Sequence, residues 1–123
     1  MTLEALSDYF IAEVDPCLSN TFMLTFRYDE ATVTIRLKFA DEESGTDMII
    51  TGVTTHPFTE RKSNYANIAL QQVLDWADEQ NLWSIEAIRV SRRDESFWRR
   101  NHFWPIGNPT RDFKFTHTQK RTE

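Results

Sequence analysis

Val33, Ile35, Leu37 and Phe39 alternate with Thr34, Arg36 and Lys38, the period-two pattern of a strand with one buried face. The stretch before it, Thr21 to Tyr28, is rich in β-branched and aromatic residues, and Asp29-Glu30 between the two predicts a hairpin turn. Met48 to Thr55 is almost continuously apolar or β-branched, which predicts a third strand central in the sheet. Gly52 interrupts that strand and predicts either a bulge with close backbone approach or a simple relief of crowding.

A helical period governs other segments. Leu3, Leu6, Phe10, Ile11 and Val14 recur at three- and four-residue intervals, with Thr2 placed as an N-cap and Pro16 beyond the end. Asn64 to Asn81 predicts the main helix: Tyr65, Ala69, Val73, Trp76 and Ala77 form its apolar stripe, widened by Ile68 and Leu70. Ser63 is placed to cap its start, and Asn81 to stop it. Downstream, the pattern predicts a strand at Ser84–Val90 and a short helix at Arg93–Asn101. Short strands at Phe103–Ile106 and Asp112–Thr116 then flank the Gly107-Asn108-Pro109-Thr110 turn. Asp41 to Asp47 reads as an acidic turn containing Gly45, and the last four residues as a frayed end.

This order of elements predicts an α/β (α+β) fold with a mixed, mostly antiparallel central sheet flanked by helices. The third strand and the Ser84–Val90 strand become parallel neighbours, joined by the long helix. A length of 123 residues holds one domain, 1–123, with a single core. The apolar share of 40% with only three glycines describes a globular chain rather than a disordered one.

Composition narrows the function classes. Cys17 is the single cysteine, which excludes an intrachain disulfide and a cysteine-based zinc site and suggests a reducing setting. No apolar run approaches the ~20 residues that cross a bilayer, so the expected location is cytoplasmic, with no membrane partner. Residues 1–84 carry five Lys/Arg against fourteen Asp/Glu, and residues 85–123 carry nine against five. That asymmetry fits either an anionic ligand on the basic side or simply two solvated faces, while the net charge of −5 disfavours a dedicated nucleic-acid binder.

The candidate chemistry lies where the third strand leads through Pro57 into the long helix. A helix N-terminus reached in this way presents unpaired backbone N–H groups and the positive end of the dipole, an arrangement suited to phosphate. Arg61 and Lys62 either supplement that site or are ordinary loop charges. Arg92, Arg93, Arg99 and Arg100 either hold a nucleotide phosphate or form a solvated face paired with Asp94 and Glu95. His56 is the titratable group nearest the end of the strand, a base for an amine or simply an exposed turn residue. His102 and His117 have no metal-pair spacing, and no zinc, Walker or serine-nucleophile signature is present.

Val53-Thr54-Thr55-His56-Pro57, followed by Arg61-Lys62-Ser63-Asn64-Tyr65-Ala66 and later by Phe97-Trp98-Arg99-Arg100-Asn101-His102-Phe103, resembles the GCN5-related N-acetyltransferase superfamily. There, a V-x-x-x-P type strand enters an [R/Q]-x-x-G-x-[G/A] loop, and a short helix ends in an aromatic pair. The motifs cover roughly residues 48–106. The resemblance implies acetyl-CoA bound between two splayed strands, with an amine as acceptor. Arg61, Lys62, Ser63, Asn64, Tyr65 and Ala66 would surround the pyrophosphate, and Val53 and Thr54 would pair with the pantetheine arm. Trp98 stands where the family often places a tyrosine acid, Asn64 replaces the loop glycine, and His102 replaces the glycine before the final phenylalanine. The start is shorter than the family's, with one helix and no preceding strand expected. A non-catalytic member of the same fold, acting through a protein partner or a homodimer, is the alternative that these departures imply.

Overall fold

The computed structural model describes residues 11–14, 21–28, 31–40, 45–56, 63–106 and 111–116. Among these residues, seven strands form one sheet in the order β1-β2-β3-β4-β5-β7-β6. They are β1 (Ile11–Val14), β2 (Thr21–Arg27), β3 (Thr32–Phe39), β4 (Met48–His56), β5 (Ser84–Ala87), β6 (Trp104–Pro105) and β7 (Phe113–Thr116). The helices are α1 (Ser63–Glu79) and α2 (Glu95–Arg100), the latter entered through a 3₁₀ turn at Arg92–Asp94. Pairing is antiparallel throughout except between β4 and β5. The expected mixed, mostly antiparallel sheet is therefore present, with β4 in the middle and α1 as the crossover to its parallel neighbour.

The alternation in β3 does what its pattern predicts. Val33, Ile35 and Leu37 are buried, and Leu24 and Phe26 join them from β2. From α1 come Ala66, Ala69, Leu70, Val73, Leu74, Trp76 and Ala77, closing one face of the sheet. Ile68 is 41% exposed, so the stripe widens through Leu70 and Leu74 and not through Ile68. No described helix is long and apolar enough to cross a membrane.

Three expectations need correction or trimming. Ile11–Val14 is not the end of a helix but an edge strand paired with β2, from Ile11 opposite Thr25 to Val14 opposite Phe22. Apolar positions 10, 11 and 14 fit a helical stripe, but pairing with an otherwise open strand edge satisfies the backbone of this segment. A strand therefore does precede the hairpin. The strand expected to reach Val90 ends at Ala87, because Arg89 takes a left-handed conformation (φ 55°) that an extended strand does not allow. The remaining residues of the expected N-terminal helix, Cys17, the Asp29-Glu30 turn, Arg61, Lys62, the Gly107–Thr110 turn and His117 lie outside the described residues.

Both helices end in the same way. At the end of α1, Asn81 is left-handed (φ 61°), Leu82 N–H donates to Ala77 C=O at 2.8 Å, and Asn81 N–H donates to Asp78 C=O at 3.1 Å. After α2, His102 is left-handed (φ 67°), Phe103 N–H donates to Trp98 C=O at 3.0 Å, and His102 N–H donates to Arg99 C=O at 3.1 Å. These are Schellman caps, and their left-handed position favours glycine. His102→Gly is accordingly expected to raise stability by about 1 kcal/mol, read as a higher denaturation midpoint with an unchanged slope.

Candidate functional site

The parallel ladder between β4 and β5 is short. It pairs Met48, Ile49 and Ile50 with Ile85, Glu86 and Ala87, and closes where Ile88 N–H donates to Ile50 C=O at 3.2 Å. From Gly52 to His56, β4 stays paired with β3 on one side and faces no described strand on the other. The two parallel strands therefore fork at their C-terminal ends.

Both arms of the fork have a local cause. On β4, Arg36 pairs with Gly52 whereas the next residue, Leu37, pairs with Ile50, which leaves Thr51 as the extra residue of a bulge. The Thr51 hydroxyl donates to Arg36 C=O at 3.3 Å across it. A Cβ built on Gly52 meets nothing within 4 Å, so the space over the bulge is open. On the other arm, Arg89 N–H donates to the Asp112 carboxylate at 3.1 Å and Val90 N–H donates to Arg111 C=O at 3.0 Å. The Arg111 Nε donates back to Val90 C=O at 2.8 Å, and its Nη2 lies 2.9 Å from Glu95 Oε2. These contacts tie the chain after Ala87 to the segment that enters β7.

The forked segment of β4 leads toward α1, whose first turn carries no acidic side chain to oppose an anion. Ser63 opens that helix, Asn64 is exposed, and Ala66 is buried beneath it. Asn64 is not left-handed: it already lies within the helix, so backbone conformation sets no demand for glycine there. Tyr65 stacks on Tyr28 with ring centroids 4.8 Å apart, which anchors the first turn to the end of β2. Burial raises the Tyr28 phenol above its ordinary pKa. The folded state then holds that proton more tightly, so this contribution is intact below about pH 10 and is lost as pH rises through the folded value. Alkaline titration followed by phenolate absorbance is expected to show a late phenol that Tyr28→Phe removes.

Val53 is half-buried against the core, and Thr54 and His56 are exposed on the opposite face at the end of β4. Trp98 is 5% exposed and stands edge-on to both Phe97 (5.1 Å) and Phe103 (4.9 Å), so its indole serves the packing of α2. Of the arginines near α2, Arg99 lies 3.9 Å from Glu95 and over the Trp104 and Phe113 rings, at 5.9 and 5.7 Å. Arg100 Nε donates to Ser96 C=O at 3.3 Å, and Asp94 accepts from the Ser91 hydroxyl at 2.9 Å. The expected pairing with Glu95 is present for Arg99, whereas Asp94 is engaged locally.

A polar cluster that the sequence reading did not single out joins the two helices. Asn101, 3% exposed, donates from Nδ2 to Asn67 Oδ1 and to Phe97 C=O, each at 2.8 Å, and its Oδ1 accepts from Gln71 Nε2 at 2.8 Å. Its sequence signal is the pair Asn67 and Gln71, polar residues one turn apart on α1. A cavity of about 150 Å³ lies further along α1, lined by Gln72, Asp75, Trp76 and Glu79. Its carboxylates oppose a phosphate ligand. No group of metal-ligating side chains exists among the described residues.

The arrangement defines an α+β protein with one split parallel strand pair and a helix N-terminus next along the chain. No family model matches the chain, and neither does any curated protein or solved structure at a significant level.

Proposed function

We propose that this protein binds acyl-CoA in the fork between β4 and β5 and transfers an acetyl group to an amine. The observation that carries the proposal is the bulged segment Thr51–His56, whose outer edge faces no described strand and would offer backbone donors and acceptors to an extended amide-bearing arm. The pantetheine arm would pair beside Val53 and Thr54. The first-turn amides of Ser63, Asn64 and Tyr65, packed over Ala66 and supplemented by Arg61 and Lys62, would receive the pyrophosphate. In the transfer, the amine lone pair forms the new C–N bond at the thioester carbonyl, the C–S bond breaks, and the thiolate leaves with CoA. The amine's proton passes to solvent or to His56. A strand amide polarising the carbonyl, together with positioning, supplies the acceleration.

A second reading, a non-catalytic protein of this fold acting through protein contacts, has its own support. Trp98 holds a core position, and its indole N–H is far too weak an acid to protonate a thiolate. The edge strand β6 presents Trp104 at 56% exposure, followed by Ile106 at 53%.

Thermal denaturation with CoA and acetyl-CoA separates the two. A ligand at 100 times its dissociation constant adds about 2.7 kcal/mol of stability, which raises Tm by roughly 10 °C for a domain of this size. A rise with both ligands supports the first reading. An unchanged Tm at millimolar ligand leaves the second.

A further inference from the structure

We infer that the acceptor amine carries an anionic group, a carboxylate or phosphate, and that Arg36 is the residue that selects it. This inference rests on the acyl-CoA reading above. One face of the sheet is closed by α1 and the core beneath it, against which Val53 of the forked segment packs. An acceptor therefore reaches a thioester beside the bulge over the opposite face, which no described helix covers. On that face the strand register sets Arg36 directly across from Gly52, where no side chain stands between the guanidinium and the open space above the backbone. Register partners of this kind sit about 5 Å apart at Cα, well within reach of an arginine side chain.

Two further cations stand on the same face of the β2–β3 hairpin. Arg36 and Arg27 are exposed, and Lys38 lies next to Arg36 along the same face of β3. No ion pair of these three with another described residue is present, since both described ion pairs lie at Glu95. Among strand residues whose side chains are described, Glu86 is the one acid. It stands across β4 from Lys38 and directly opposite Lys114, on the far side of Ile49, and so is flanked by cations of its own. Between Arg36 and Arg27, Thr34 pairs with Thr25 on one side and Thr54 on the other, a row of hydroxyls that can donate to the same anion. A planar guanidinium beside hydroxyl donors suits a carboxylate or phosphate and repels a polyamine.

The test uses CoA joined through an S-acetyl linker to the nitrogen of one of three amines: 3-aminopropanoate, 3-aminopropanamide and 1,3-diaminopropane. Their affinities are measured by calorimetry. The anionic conjugate is expected to bind about five- to tenfold more tightly than the neutral one, and the cationic conjugate more weakly than both. Arg36→Gln should abolish the difference while leaving the neutral conjugate's affinity unchanged. Gly52→Val, whose added atoms start in open space, should weaken all three conjugates more than it weakens free CoA. Equal affinities in the wild type, or a preference that survives Arg36→Gln, would overturn the inference while leaving the CoA site standing. Conjugates that bind Gly52→Val as well as the wild type would overturn it too. Binding of neither CoA nor any conjugate would remove the acyl-CoA reading itself, and this inference with it.

Discussion

Phe103→Ala is expected to cost about 3–5 kcal/mol, a large share of the 5–15 kcal/mol typical of a whole domain. Phe103 is fully buried, stands edge-on to Trp98 at 4.9 Å and packs against Phe115 of β7 at 5.4 Å. It also supplies the N–H that closes the cap of α2 on Trp98 C=O. Truncation would leave a cavity where α2 meets the sheet, and neighbours held on both sides can collapse only partly. Urea denaturation should show a markedly lower midpoint with an unchanged slope. A loss under 1 kcal/mol would mean that α2 is not docked in this way.

Asn101→Leu is expected to cost about 2–4 kcal/mol although leucine is the more apolar residue. The substitution removes three hydrogen bonds and leaves Asn67 Oδ1, Phe97 C=O and Gln71 Nε2 without that partner in a partly buried interface. Orphaned polar groups lose more than a typical net hydrogen bond contributes. Because Asn67 and Gln71 belong to α1, the damage should spread beyond α2. A double-mutant cycle with Gln71→Ala should give a coupling energy of about 1 kcal/mol, and near-UV dichroism from Trp98 should weaken. Additive effects in that cycle would contradict the bridging role.

The hairpin, the central strand and the parallel crossover were legible because each is written in a long periodic segment. β3 alternates over its full length, β4 opens on the apolar run Met48-Ile49-Ile50, and α1 repeats its apolar residues over 17 positions. Short elements were not legible in the same way. β1 has four residues, too few to tell period two from 3.6, and the neighbouring Leu6 and Phe10 extend a helical spacing into it. Val90 shows a different limit: its apolar side chain correctly signals burial, yet it lies outside β5 because Arg89 bends the chain first. Hydrophobicity reports what is covered and not what is extended.

At the site, Gly52 did signal the bulge, since an interrupted strand is a local feature. Arg36 gave no signal, being one polar position among several in an alternating strand, and only its register opposite Gly52 distinguishes it. Trp98 misleads in the opposite direction. Its place in the motif suggests an active-site donor, while aromatic neighbours on both sides, Phe97 and Phe103, point to the packed core position it holds.

Amide chemical shifts during a CoA titration test residue by residue whether CoA lies in the fork of β4 and β5. The largest, saturable shifts are expected at Val53 and Thr54 and in the first turn of α1, Ser63 to Ala66, with the C-terminal half of that helix unmoved. No saturable shift at millimolar CoA, or shifts centred on Gln72, Asp75 and Glu79 instead, would contradict it.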